Sequence, residues 1–227
     1  MGLKKHQHGF IKNHHEKERC IKLSQWKKLE AIHLDVLKEI GNIGSGNAAT
    51  SLAQLLDRKI DMDVPSAGVI NLQEFIKTFG TGEELAVCIN LSVAGCAPST
   101  VIFLLDEKSA FMLADLLMNI EPGSRTELDE IAYSALQEVG NILTGSMLIA
   151  LSSMTRLTFN PSVPALAHDM LAAVLSAALL ERGVFDENIL LIETRFHDEN
   201  VSLNGYFFLI PEEGSLEIIF QSLGINL

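Results

Sequence analysis

The chain has 227 residues, 48% of them apolar and 20% charged, with only six prolines, a profile that excludes the disordered and low-complexity classes. Its net charge of −12 is unevenly spread: residues 1–28 hold eight Lys/Arg against Glu16 and Glu18, and the rest holds nine basic and twenty-seven acidic side chains. A body this acidic argues against a nucleic-acid partner, whose phosphates need a basic face.

Met1 to Lys22 shows no hydrophobic period and contains four of the seven histidines. A signal peptide needs an apolar run after its basic start, and none follows here. Residues 1–28 therefore read as a basic, flexible extension. Trp26 and Leu29 open a helix predicted over about 29–56. A strand over 58–64 follows, then a short helix over 71–79 with Asn71 as its N-cap and Gly80 as its stop. A strand pair within 85–105 and a helix over 107–119 close this half. The same order then recurs: helix 127–154, strand 156–163, helix 168–181, strand pair 188–210 and helix 214–223. The strand assignments rest on branched and aromatic runs such as Leu85–Leu91 and Tyr206–Ile210. The longest apolar stretches, such as Met170–Leu180, fall short of the roughly 18–20 residues a membrane span needs, so no membrane insertion is expected. Cys20, Cys88 and Cys96 are odd in number and lack metal-ligand spacing. The sequence thus indicates no metal site and suits a reducing cytoplasm.

The recurrence extends to individual residues. Asp35-Val-Leu-Lys-Glu39-Ile-Gly-Asn42-Ile-Gly-Ser-Gly46 matches Ser134-Ala-Leu-Gln-Glu138-Val-Gly-Asn141-Ile-Leu-Thr-Gly145 at an offset of 99. Val64-Pro65 matches Val163-Pro164 at the same offset, and Val101–Leu105 matches Tyr206–Ile210 at 105. Such spacing is what a tandem duplication leaves. The predicted architecture is an α+β single domain of two repeats, about 29–121 and 127–227. They would share a central sheet around a pseudo-twofold axis, with the long helices packed on it. Internal symmetry already supplies what a homodimer would provide, so a monomer is expected.

Asp35, Glu39 and Asn42 fall at i, i+4 and i+7 on the first helix and form one stripe, as do Ser134, Glu138 and Asn141. The opposite stripe, with Leu34, Leu37, Ile40 and Ala48, suits a core. A carboxamide both accepts and donates hydrogen bonds, so it can hold a water in a fixed orientation without acting as a base. Phosphoryl transfer gains from such help, because it relies on positioning and electrostatics. The glutamate is better suited to gripping a cation on a partner. Two structural readings stand beside this one. Asn42 and Asn141 could be buried amides at a helix crossing, and the glycines at 41, 44, 46, 140 and 145 fit close helix packing. Gly41–Gly46 lacks the order of a P-loop or a dinucleotide-binding turn.

At these residues the sequence resembles the CheC family of bacterial chemotaxis phosphatases, whose signature is Asp/Ser, three residues, Glu, two residues, Asn, 22 residues, Pro. It reads here as Asp35, Glu39, Asn42, Pro65 and again as Ser134, Glu138, Asn141, Pro164. The resemblance implies a CheC-like fold and dephosphorylation of the phosphorylated regulator CheY at two sites. In each, the glutamate contacts a lysine of CheY and the asparagine orients the attacking water. It implies no cofactor of the protein's own, with Mg2+ held by the phosphorylated partner. It also implies binding of the deamidase CheD through a helix in the second half, which places a CheD contact at Asp169 in Ala165–Ser176. Two other readings belong to the same fold: a catalytically silent adaptor acting through CheD, and a flagellar switch scaffold. The scaffold class carries an additional C-terminal domain, whereas this chain stops at Leu227.

Overall fold

The structure, a computed structural model, describes residues 28–57, 59–180, 188–197 and 202–227. The basic extension apart from Lys28 lies outside these residues. The first repeat runs α1 (Ala31–Leu56), β1 (Asp61–Asn71), α2 (Leu72–Phe79), β2 (Leu85–Gly95), β3 (Ser99–Asp106) and α3 (Glu107–Leu117). The second runs α4 (Glu130–Thr155), β4 (Phe159–Pro161), β5 (Ala165–Met170), α5 (Leu171–Leu180), β6 (Asn188–His197), β7 (Ser202–Pro211) and α6 (Ser215–Ser222).

The described strands form one antiparallel sheet in the order β1-β6-β7-β3-β2-β4, with β5 also paired to β2. Strands of the two repeats interleave, so the outer strand of each repeat lies against the strand pair of the other. In the central pair, Ile102 opposes Phe208 and Phe103 opposes Phe207. At the 105-residue offset Ile102 corresponds to Phe207 and Phe103 to Phe208, so a twofold axis between β3 and β7 exchanges the two pairs. Alternate side chains of the inner strands point to opposite faces, and both faces are covered. Ile89, Phe103 and Phe207 face α1 and α4, whereas Cys88, Ile102 and Phe208 face α2 and α5. Burial on both sides is why these strands read as nearly continuous apolar runs.

The signature prolines have a structural reason. On β1, Asp63 opposes Arg195 and Ser66 opposes Glu193, a one-residue shift of register spanning Val64–Pro65. At the other edge, Pro161 opposes Val93 and Ala165 opposes Asn90, the same shift spanning Val163–Pro164. Each edge strand carries one extra residue there, and a bulge at a sheet edge is where a residue without an N–H is tolerated.

Three assignments need correction. The strand expected over 58–64 is Asp61–Asn71 and runs straight through Pro65, because a bulge absorbs the proline. The strand expected over 156–163 is split into Phe159–Pro161 and Ala165–Met170, and the helix expected from 168 begins at Leu171. Ala165–Met170 reads as helical locally, but it pairs with β2 from Asn90 to Leu85, and sheet pairing overrides propensity. The helix starts where loop carbonyls catch its first amides: Leu171 N donates to Glu84 O at 2.8 Å and Ala172 N to Gly82 O at 3.0 Å. Asn71 caps α2 as expected, accepting from Gln73 N at 2.9 Å, and Gly80 ends it.

Candidate active site

The long helices α1 and α4 lie on the same face of the sheet and cross each other. Their approach depends on glycine. A Cβ on Gly41 would sit 3.3 Å from Ile192 Cγ2 and Val64 Cγ2, and one on Gly140 would sit 2.6 Å from Ile89 Cγ2. At the crossing, a Cβ on Gly44 would overlap the Met147 side chain. Its counterpart Leu143 lines the same small internal cavity together with Ala48. A small residue facing a large one on each helix keeps the crossing filled.

Seating the glycine faces inward turns the opposite face outward. Leu37, Ile40, Gly41, Gly44, Ser45 and Ala48 are buried, and Leu34 is half-buried, while Asp35, Glu39, Asn42 and Gly46 are exposed. On α4, Leu136, Val139, Gly140 and Leu143 are buried, while Ser134, Glu138 and Asn141 are exposed. The buried-amide alternative for the asparagines therefore falls. Among the described residues, no hydrogen bond or ion pair engages the side chain of Glu39, Asn42, Glu138 or Asn141, which leaves all four available to a partner. Pro65 and Pro164 are half-buried at the bulges beside the helices, and Gln137 Nε2 donates to the Pro164 carbonyl at 3.5 Å.

Both helix starts are pinned. Glu30 N donates to His33 Nδ1 at 2.9 Å, which leaves the buried His33 ring to donate from Nε2 to the Asn226 carbonyl at 3.0 Å. Asp129 caps α4, accepting from Ala132 N at 2.8 Å. Sequence reasoning missed two clusters around α4. Asp115, fully buried on α3, accepts from the backbone of Gly123, Ser124 and Arg125 and from Arg125 Nε at 3.1 Å, holding the link between the repeats. Tyr133 bonds His168 Nδ1 at 3.0 Å, and His168 Nε2 meets Glu107 at 3.2 Å, which clamps the first turn of α4 just before Ser134. No periodicity or motif connects these distant positions.

Two expectations about single residues change. Gly46 and Gly145 face open space, with nothing within 4 Å of a Cβ placed on either, so they have no packing role. Asp169 is exposed on the edge strand β5, before α5, and its Oδ1 accepts from Met170 N at 2.7 Å. Among the described residues, no group of three or more His, Cys, Asp or Glu could hold a metal ion, and no helix is long and apolar enough to cross a membrane.

The CheC-like family pattern matches residues 32–69 and 131–168, two segments 99 residues apart that contain both stripes and both prolines. Across 209 residues the chain is 34% identical to the CheY-P phosphatase CheC of Bacillus subtilis, covering 90% of this chain and 100% of that protein. The chain belongs to the CheC-like family. A second relative within reach of this CheC-like chain is the flagellar motor switch phosphatase FliY of Bacillus subtilis, 31% identical over 127 residues, or 56% of this chain and 33% of that protein. Among solved structures, Thermotoga maritima FliY superimposes with a TM-score of 0.72 at 24% identity, covering 87% of this chain and 98% of that one, a likeness of fold.

Proposed function

We propose that this protein is a cytoplasmic phosphatase that hydrolyses the aspartyl phosphate of the chemotaxis regulator CheY at two sites, Glu39 with Asn42 and Glu138 with Asn141. The observation that carries this reading is the duplicated, outward-facing Glu-x-x-Asn stripe, without hydrogen-bond or ion-pair partners among the described residues, on helices fixed to the sheet by Gly41 and Gly140. The names of the relatives support the substrate.

The chemistry needs little more than such a stripe. A water oxygen attacks phosphorus, the bond from phosphorus to the aspartyl oxygen breaks, and the carboxylate leaves with the electron pair. Because a carboxylate is a stable anion near neutrality, with an ordinary aspartate pKa of about 3.9, no general acid is required. The Asn42 or Asn141 carboxamide accepts a hydrogen from the water and aims its lone pair along the line of attack. The water's proton passes to the departing phosphate or to solvent. Glu39 or Glu138, one helical turn away, grips a cation on CheY and sets the register of the complex. The cation that phosphoryl transfer calls on, Mg2+, belongs to the phosphorylated partner in this reading.

The split of roles is testable. Phosphate release from phosphorylated CheY is measured with N42A/N141A and with E39A/E138A. The asparagine variant should lose at least 100-fold in kcat while still binding CheY, an effect of the size that loss of positioning produces. The glutamate variant should raise KM. Retention of wild-type kcat by N42A/N141A would sink the water-orienting role.

We also propose CheD as a second partner, bound at the β5–α5 junction. Asp169 is exposed there, beside the cross-strand pair Leu85 and Met170, which are 44% and 45% exposed. A carboxylate next to an apolar pair offers the mixed contact that a protein partner uses.

A further inference from the structure

Gly46 and Gly145 are unexplained by the fold. Glycine is the poorest helix former apart from proline, yet both repeats keep one in the interior of a long helix. Three ordinary reasons for such a glycine fail here. Neither has a positive φ. Neither would meet any atom within 4 Å if given a Cβ, in contrast to Gly41, Gly44 and Gly140. Neither ends its helix, since α1 runs on to Leu56 and α4 to Thr155. The surrounding matched positions have meanwhile diverged: Gly44 corresponds to Leu143, Asn47 to Ser146 and Thr50 to Ile149.

What the two glycines share is their place relative to the stripe. Each lies four residues after the asparagine, hence one turn further along the same face, with Cβ positions about 5–6 Å apart. On α1, Gly46 also opens onto a surface groove lined by Ala49, Ala53, Asp61 and Met62. Glycine at an exposed helical position lets another backbone come closer than any side chain would allow. We propose that Gly46 and Gly145 are positioning residues that keep the helix surface flat, so that the phosphate-bearing loop of the phosphorylated regulator can reach Asn42 or Asn141. This rests on the phosphatase reading of those asparagines. A methyl group here displaces the incoming loop by about its own radius, and a displacement of 1 Å can cost on the order of 100-fold in rate.

The test exploits two effects of opposite sign. In G46A/G145A the helices gain a better former at two positions where a Cβ meets nothing within 4 Å, one exposed and one half-buried, so the melting temperature should rise by roughly 4–8 °C. The same variant should lose at least tenfold in kcat/KM toward phosphorylated CheY, and G46L/G145L should lose more. A raised melting temperature with unchanged kcat/KM would overturn the proposal, and so would a lowered one, which would reveal a packing role. The wild type run alongside separates the two claims. If it adds nothing to the regulator's own rate, the phosphatase reading fails. The glycines are then read by titrating phosphorylated CheY and following complex formation, where unaltered binding by G46A/G145A overturns the inference.

Discussion

An asparagine inside a helix competes with the backbone for hydrogen bonds, and a glycine there with no packing partner is worse. The two site helices carry both on their outer face, while their inner glycines serve the packing. These inner glycines are not equivalent. A Cβ on Gly41 would need its neighbours at 3.3 Å to give by a few tenths of an ångström, whereas a Cβ on Gly140 would press on the fully buried Ile89 at 2.6 Å. Alanine at Gly140 should therefore be less stable than alanine at Gly41 by about 1–2 kcal/mol, from overpacking that improved helix propensity does not offset. Urea denaturation midpoints decide this, and equal midpoints would mean that the sheet yields. At this scale the sequence was informative about direction: the spacing of Asp35, Glu39 and Asn42 placed them on one stripe before any coordinates. It could not separate Gly41 from Gly46, because which face of a glycine meets a neighbour depends on the tertiary fit.

Among elements, the edge strands were the least legible. The first edge strand was expected to stop at 64, and the second helix of the second repeat was expected to start at 168. Both impressions came from local preference, and both are overridden by pairing with β6 and β2 respectively. Asp169 lies on an exposed edge strand rather than in the helix expected from 168. Asp169→Ala should weaken CheD binding at least fivefold, by titration of purified CheD, without altering phosphate release from phosphorylated CheY. Unchanged CheD affinity would move that interface elsewhere. The core strands were legible, because burial on both faces writes a continuous apolar run.

For the whole molecule, the duplication was readable from the offset of 99, and so was the expectation of one shared sheet. The interleaved strand order was not, since no sequence period says which strands pair across repeats. That order matters for function. Each repeat donates its outer strand to the other, and both site helices pack on one sheet face, so the two stripes are presented by one shared scaffold. Asp35 in one stripe corresponds to Ser134 in the other, and Thr50 corresponds to Ile149, so the two surfaces differ in charge and apolar content around the same pair of side chains.

The most direct measurement is the rate of phosphate release from phosphorylated CheY with E39A/N42A, E138A/N141A and the fourfold variant, each first shown to melt like wild type. Each pair variant should keep part of the wild-type activity, and the fourfold variant should fall to the rate of CheY alone. Full activity in the folded fourfold variant would contradict the account, because the duplicated stripe would then have no part in the chemistry.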